Sequence, residues 1–321
     1  MINIEIPYGK GFKSLNLNEN RVKGVLTSRA KEYKTGKTQE EIVKYALENP
    51  VESPRLRELA MDANRVLLIT SDHTRPVPSK ITLPIILQEI RSSNPNINIK
   101  IIVATGFHRA TTHEELVDKF GSEIVEKEEI IIHDSRDNEN MVFKGILPSG
   151  GELWLNSLVD WADIVVAEGF IEPHFFAGYS GGRKSILPGI ASEKTVFANH
   201  CAKFIASDDA RTGKLDNNPI HKDMLFAAEA AKLKFILNVV IDSDKKIINA
   251  FAGHYIEAHL KGCDFVRELT EVKAAEADIV ITSNGGYPLD QNIYQAVKSM
   301  TAAEACVKNG GVIIMAAECR D

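Results

Sequence analysis

Short β-branched runs alternate along this chain with stretches of helical periodicity, and that alternation limits the fold more than any other feature. The runs Val66–Thr70, Ile99–Ala104, Ile130–His133, Ile164–Ala167, Phe235–Ile241, Asp278–Thr282 and Gly311–Met315 read as strands. Gln39–Glu48, Lys80–Arg91, Thr112–Phe120, Glu193–Phe204, His221–Ala231, Ile256–Leu269 and Gln291–Lys308 read as helices. Apolar strands separated by helices predict an α/β fold, with mainly parallel sheets flanked by helices. Thr38-x-x-Glu41 and Thr112-x-x-Glu115 have capping-box spacing. Pro84 predicts a kink or a shifted start in its helix. A length of 321 residues suggests two domains. The reading places one at residues 1–270 and a second α/β unit at 276–321, where a fresh strand–loop–helix unit begins at Asp278. A single strand–helix–strand unit is too small to fold alone, and its last strand needs cover, so a longer native chain is expected.

The totals exclude several function classes. The formal net charge is −6 and the pI is near 5.9, so there is no basic footprint for nucleic acid. The four cysteines (201, 263, 306, 319) contain no C-x-x-C pair. That argues against a disulfide framework and a structural zinc site, and it fits a reducing compartment. The opening M-I-N-I-E-I-P-Y-G-K lacks a signal-peptide pattern. No apolar run approaches the ~20 residues that span a bilayer. The expectation is a cytoplasmic protein with no nucleic-acid or membrane partner.

Five segments carry chemistry-bearing residues. Glu168 to His200 holds a histidine (His174), a glycine-rich turn (Gly178, Gly181, Gly182), Arg183-Lys184-Ser185 and a second histidine (His200). It follows a buried strand, where open α/β sheets place ligands. Successive N–H groups of such a turn suit an anion. Arg183 occupies the second glycine position of a Walker A motif, so that match fails, and no G-x-G-x-x-G follows any strand. Ser71-Asp72-His73-Thr74-Arg75-Pro76 follows the first strand of the main series. Arg75 can fork onto a carboxylate or phosphate, and an Asp72–Arg75 turn capping the next helix is the structural alternative. His108 stands between a strand end and a capped helix, as a general acid–base group or as a loop hydrogen-bonding group. His200, in the helix Glu193–Phe204, falls on one face with Val196 and Phe204 at four-residue spacing. That reads as a core histidine or as a lone metal ligand. In Asn284 to Lys298, Asp290 is placed to cap a helix. On that helix Tyr294, Gln295 and Lys298 share a face, either toward a ligand or toward solvent.

Together these segments resemble the nickel-dependent lactate racemase family. The resemblance spans essentially the whole chain and is tightest at Ser71–Pro76, Ala104–Glu115, Glu168–His200 and Asn284–Ala303. It implies a cofactor site between two domains and a nickel-pincer nucleotide, pyridinium-3,5-bisthiocarboxylic acid mononucleotide. Nickel is then held by two sulfurs and a ring carbon of that cofactor and by His200. Lys184 matches the lysine that can tether the cofactor through a thioamide. Ser71, Asp72, Gly181 and Gly182 are expected to face its phosphate region. The resemblance implies His108 and His174 as the acid–base pair, and Arg75, Tyr294, Gln295 and Lys298 as substrate-binding residues. The implied reaction is racemisation of lactate by proton-coupled hydride transfer through pyruvate. The cofactor's biosynthetic enzymes are the implied transient partners.

Three other readings compete. One is a racemase or epimerase of another 2-hydroxy acid, such as malate, an aromatic hydroxy acid or a sugar acid. The resemblance to lactate racemases around Phe107, Phe175, Phe176 and Tyr294 implies a small substrate such as lactate instead. Another is a non-catalytic nickel- or nucleotide-binding protein, disfavoured by the two acid–base histidines. The last is an NAD-dependent dehydrogenase, disfavoured by the missing fingerprint.

Overall fold

The computed structural model describes residues 1–320, with Lys31 described by its backbone alone. The chain divides into two compact units. One comprises Tyr33–His73 and Val77–Val266; the other comprises Met1–Glu32, Thr74–Pro76 and the chain from Arg267 onward. The sequence reading had grouped residues 1–32 with the larger unit. Backbone bonds draw them to the other: Tyr287 N–H donates to Gly9 O (2.8 Å), and Gly9 N–H donates to Asp290 Oδ2 (2.8 Å).

The larger unit is built on a six-stranded sheet. Its spatial order is Ile247–Gly253, Leu233–Ile241, Ile164–Phe170, Arg65–Ser71, Asn98–Ala104 and Glu129–Ile132. All neighbours are parallel except Ile247–Gly253, which runs antiparallel to Leu233–Ile241. Ile164–Phe170 is buried at every position, which explains the apolar run Ile164–Ala167: a strand covered on both faces has no solvent side. Val66 and Leu68 face one core, with helices Gln39–Glu48 and Ser79–Ser93. Leu67 and Ile69 face the other, with Leu153, Leu187 and Met224. Each such fully buried side chain contributes roughly 1.5–3 kcal/mol.

The strand order reverses between Arg65–Ser71 and Ile164–Phe170. From the first, the chain moves outward through Asn98–Ala104 to Glu129–Ile132. From the second, it moves the opposite way to Leu233–Ile241. The C-terminal ends of these two strands therefore flank a switch point, where the connecting loops part and leave a crevice.

Both predicted capping boxes are present, at Thr38/Glu41 and Thr112/Glu115. Pro84 sits inside helix Ser79–Ser93. Three expectations differ from the structure. The helix expected over Glu193–Phe204 is two, Glu193–Asn199 and Ala202–Ile205, with His200 as C-cap at φ −90° and ψ 45°. The helix expected over Gln291–Lys308 is also two, Ile293–Ala296 and Lys298–Glu304, and strand Val307–Ala316 has already begun at Lys308. Asn292, not Asp290, caps the first of these helices. Asp290 is buried and accepts from the N–H groups of Gly9 and Glu318. The hairpins Ile2–Leu17 and Met141–Asn156, and the antiparallel strand Ile247–Gly253, were not read from sequence.

Candidate active site

The site residues of the larger unit stand on loops at the C-terminal edge of the sheet. Ser71 pairs in register with Ala104, so the loops that follow both strands start side by side. This brings Asp72 to His108: Asp72 Oδ2 lies 2.5 Å from His108 Nδ1. Asp72 is 1% exposed. A carboxylate accepts, so Nδ1 carries the proton and Nε2 is the basic nitrogen of the neutral ring. The sequence reading had Asp72 facing a cofactor phosphate. The structure gives that carboxylate to an imidazole, which suits it better, because a carboxylate repels phosphate.

The next residue grips the same loop. His73 Nδ1 lies 3.0 Å from Thr111 Oγ1 and 3.7 Å from Glu115 Oε2. Burial lowers the His73 pKa, against the pull of Asp72 and Glu115. Glu115 is drawn down to about 2, chiefly by its hydrogen bonds from Arg109. Gly106, at φ 56°, turns the chain so that its N–H donates to Gly189 O (2.9 Å). That bond ties the His108 loop to the segment after Lys184. Phe107 packs on Phe197 (5.1 Å between centroids), joining this loop to the helix that ends at His200.

His174 is set differently. It lies in a two-residue strand paired with Gly178–Tyr179 and is buried. The N–H of Ala177 donates to its Nδ1 (3.3 Å). That nitrogen therefore lacks a hydrogen in the neutral ring, and Nε2 carries it. His108 and His174 thus rest in opposite tautomers. Phe176 is the shared surface: His174 (4.6 Å) and His200 (4.9 Å) meet its ring edge-to-face, and Lys184 Nζ lies 5.5 Å from its centroid. The predicted acid–base histidine, metal ligand and tether lysine all surround this one side chain.

The glycine turn is committed to the protein's own packing. Gly181 (φ 78°) and Gly182 (φ 54°) adopt backbone that favours glycine. A Cβ on Gly181 would stand 2.6 Å from Asn238 Oδ1, and one on Gly182 would stand 2.9 Å from the His259 ring. Gly182 N–H donates to Asn238 Oδ1 (2.7 Å). The expected phosphate-facing role of Gly182 therefore lacks that N–H. Beneath the site, Glu168 is buried and accepts from three hydroxyls: Thr70 (2.5 Å), Ser79 (2.6 Å) and Thr82. Ser71 Oγ is buried without a hydrogen-bond partner.

In the smaller unit, Lys298 Nζ donates to Gln295 Oε1 (2.6 Å). Gln295 is 1% exposed and Tyr294 is 62% exposed. Asn284 Nδ2 holds the carbonyls of Leu289 and Gln295 (2.6 and 2.9 Å). Arg75 Nη1 donates to Thr74 Oγ1 (2.8 Å). The Asp72–Arg75 capping turn is not formed as such: helix Ser79–Ser93 has Pro78 at its N-cap and no side-chain cap.

Sequence reasoning missed Asp72 as the partner of His108, the grip of His73 on Thr111, the Glu168 hydroxyl cluster and the burial of Arg183. The first had a signal, since Asp72 and His108 each follow adjacent parallel strands. The burial of Arg183 leaves no local signal, because its partners His221 and His259 lie on distant segments.

Among the described residues, no group of three or more His, Cys, Asp or Glu side chains is arranged to hold a metal ion. No helix among them is long and apolar enough to cross a membrane.

Comparison with known proteins adds to this geometry. Residues 8–213 match the family described as Lactate racemase N-terminal domain, and residues 272–321 match Lactate racemase C-terminal domain. The chain is 62% identical over 321 residues to a lactate racemase of Thermoanaerobacterium thermosaccharolyticum, covering 100% of this chain and 75% of that protein. It is 55% identical over 321 residues to a lactate racemase of Lactiplantibacillus plantarum, covering 100% and 76%. The solved lactate racemase apoprotein from T. thermosaccharolyticum matches with a TM-score of 0.93 at 61% identity, over 99% of this chain and 75% of that one. A crystal structure of a Thermotoga maritima protein, 24% identical with a TM-score of 0.63, covers 75% of this chain and 62% of that one, and shows the fold alone.

Proposed function

The chain belongs to the lactate racemase family, and we propose that it interconverts L- and D-lactate through a bound pyruvate, using His108 and His174 as the acid–base pair. The observation that carries this reading is the opposite setting of the two rings. Inversion needs one group that takes the hydroxyl proton and another that returns a proton on the other side. His108 offers a basic Nε2, and Asp72 faces the positive charge that forms when that nitrogen is protonated. The Ala177 N–H occupies Nδ1 of His174, so Nε2 is the nitrogen that carries the proton and would exchange it with substrate. In the reverse direction the roles exchange.

The residues around Phe176 fit a nickel-pincer nucleotide. His200 offers one imidazole, and the absence of a wider ligand cluster among the described residues suits a metal that arrives with its other ligands. Lys184 Nζ is the amine suited to a thioamide tether. When bound, that cofactor supplies a reversible hydride acceptor for the lactate Cα. Ser71, with its buried hydroxyl, is proposed on its polar side. Gly181 and Gly182 shape the Lys184 turn. Arg75 and Lys298 are the proposed cationic partners for the substrate carboxylate, with Gln295 bonded to Lys298 and Tyr294 proposed as a further substrate-binding residue. The reading also places the protein in the cytoplasm, where the enzymes that make the cofactor act on it transiently.

The test is conversion of L-lactate to D-lactate, and the reverse, by protein co-expressed with the cofactor pathway and nickel. His108→Ala and His174→Ala should each abolish both directions while nickel stays bound. Retained turnover in either variant removes that histidine from the mechanism. Bound nickel without any lactate turnover by the unmodified chain directs the reading to another 2-hydroxy acid.

A further inference from the structure

Beside Lys184 lies a cation that the proposed reaction does not use. Arg183 is 1% exposed and heads the fully buried side chains by size. Its Nε donates to His221 Nδ1 (3.0 Å), its Nη1 to Gly181 O (3.2 Å) and its Nη2 to Ala177 O (2.7 Å). His259 Nε2 lies 3.0 Å from the same Nη1 and 2.8 Å from Ser180 O. One neutral nitrogen cannot both accept from the first and donate to the second, so His259 does one or the other. None of these partners is a carboxylate. A buried charge without a counter-ion is expensive, and an apolar side chain of similar volume is often no less stable. Bulk stability therefore gives little reason for an arginine here. A planar fork that fixes several acceptors at once gives a better one.

What the fork fixes is the loop between the two candidate site residues. Ala177 is 0% exposed. Its carbonyl accepts from Arg183, and its N–H donates to His174 Nδ1. At the other end, Gly181 O accepts from both Arg183 Nη1 and the Lys184 N–H (3.2 Å). The guanidinium thus holds the residue that selects the His174 tautomer and the turn that carries Lys184. We propose that Arg183 is a positioning residue, which holds His174 in its Nε2–H tautomer through Ala177 and fixes the Lys184 turn through Gly181. The assignment rests on the reading of His174 as an acid–base group. Its structural content stands apart from turnover and can be measured without cofactor.

The experiment is ¹⁵N NMR of the histidine rings in cofactor-free, full-chain protein at pH 8, where neutral rings report their tautomers. In the unmodified protein His174 should be a single Nε2–H tautomer and His108 a single Nδ1–H tautomer. Mixed tautomers at His174 there would overturn the proposal before any variant is made. In Arg183→Lys, which keeps the charge and loses the fork, His174 should become a mixture while His108 keeps its Asp72-set signature. His221→Leu, which removes one acceptor, should move His174 the same way to a smaller extent, and His221→Gln should restore it. A folded Arg183→Lys protein with His174 unchanged sinks the assignment, as does scrambling of both histidines together, which marks general loss of structure. If Arg183→Lys does not fold, the two His221 variants decide the same question. With cofactor loaded, Arg183→Lys should lower kcat roughly tenfold or more and leave KM for lactate within about threefold. Failure of lactate turnover in the unmodified enzyme would fault the racemase reading and leave the tautomer result standing.

Discussion

The His108 loop and the His174 loop sit on the same edge of one sheet and are held by opposite physics. His108 is held by charge: a buried carboxylate at 2.5 Å, with the loop tied down by His73 to Thr111 and by Arg109 to Glu115. His174 is held by a backbone N–H, and behind that N–H stands a buried guanidinium among neutral acceptors. A carboxylate places the proton of its ring on Nδ1. An N–H donor places it on Nε2. The difference shows how one scaffold can make two chemically identical side chains complementary. Each prediction below strains one side of the comparison and asks whether the other responds.

The largest effect is expected from Asp72→Asn. The amide keeps the size of the side chain but loses the charge and can turn an N–H toward His108 Nδ1, so the proton is no longer forced onto that nitrogen. Turnover of the loaded enzyme should fall by about 10²–10⁴-fold in kcat, with KM little changed and the His174 tautomer untouched. A kcat within threefold of the unmodified enzyme would break the comparison on the His108 side.

Phe176→Ala strains the other side. Phe176 is 6% exposed and meets His174, Phe175, His200 and Lys184. Removing a buried ring leaves a cavity and should cost about 3–5 kcal/mol of stability in urea unfolding. It should also release nickel from loaded protein, because His200 loses the ring it packs on. A loss under about 1 kcal/mol with nickel retained would show that Phe176 is not the shared support.

How much of this was legible in the sequence follows from which forces leave a local trace. The central strands were readable because Val66, Leu68 and Val166 are buried on one face of the sheet and Leu67, Ile69 and Val165 on the other, and that demands a run of apolar residues. The helix starts at Thr38 and Thr112 were readable because a capping box spans only four residues. The strand Ile247–Gly253 was missed because it returns through the short Asp242–Lys246 turn and adds an antiparallel edge to a parallel series. The break at His200 was missed because Val196, His200 and Phe204 fit a helical stripe. The C-cap conformation that ends the helix there is not encoded by periodicity. The candidate site residues were named by resemblance; the contacts that support them were not. Asp72 against His108, and Arg183 against Ala177 and His221, are contacts between segments separated by strands and helices. Tertiary packing decides them, and no local pattern announces them.

The buried histidines beside Arg183 offer a pH test of the His174 side. His221 is pushed down to about 3, by burial first and then by Arg183. His259 is lowered well below its ordinary value for the same two reasons, partly offset by Ser180. Arg183 is itself lowered to about 10 by burial, with the Cys263 thiol opposing. Both histidines fold in the neutral form, so the unfolded chain binds more protons once pH drops below about 6.5. The contribution of His221 is complete above that pH and is lost as pH falls toward about 3. His221 should remove about 1.4 kcal/mol of stability per pH unit across that window. His221→Gln has no such titration and should flatten the slope of unfolding free energy against pH by one proton. An unchanged slope would mean that His221 is not buried neutral beside the guanidinium.

The smallest effect is expected from Thr112→Ala, and its value lies in separating stability from chemistry on the His108 side. Thr112 Oγ1 accepts from Glu115 N–H (3.3 Å), and Glu115 returns the contact to Thr112 N–H (2.8 Å). Deleting the hydroxyl removes one half of the capping box and should cost about 0.5–2 kcal/mol. Helix His113–Phe120 begins only four residues after the His108 loop residue Arg109, so a loop positioned by its helix would pass that loss on to catalysis. A loop positioned by Asp72 and His73 would not. The expected result is a lower urea midpoint with kcat for lactate within about twofold and the Nδ1–H tautomer of His108 intact. A kcat loss that matches the stability loss would shift the support of His108 from the carboxylate to the helix, and the contrast between the two loops would then be one of packing rather than charge.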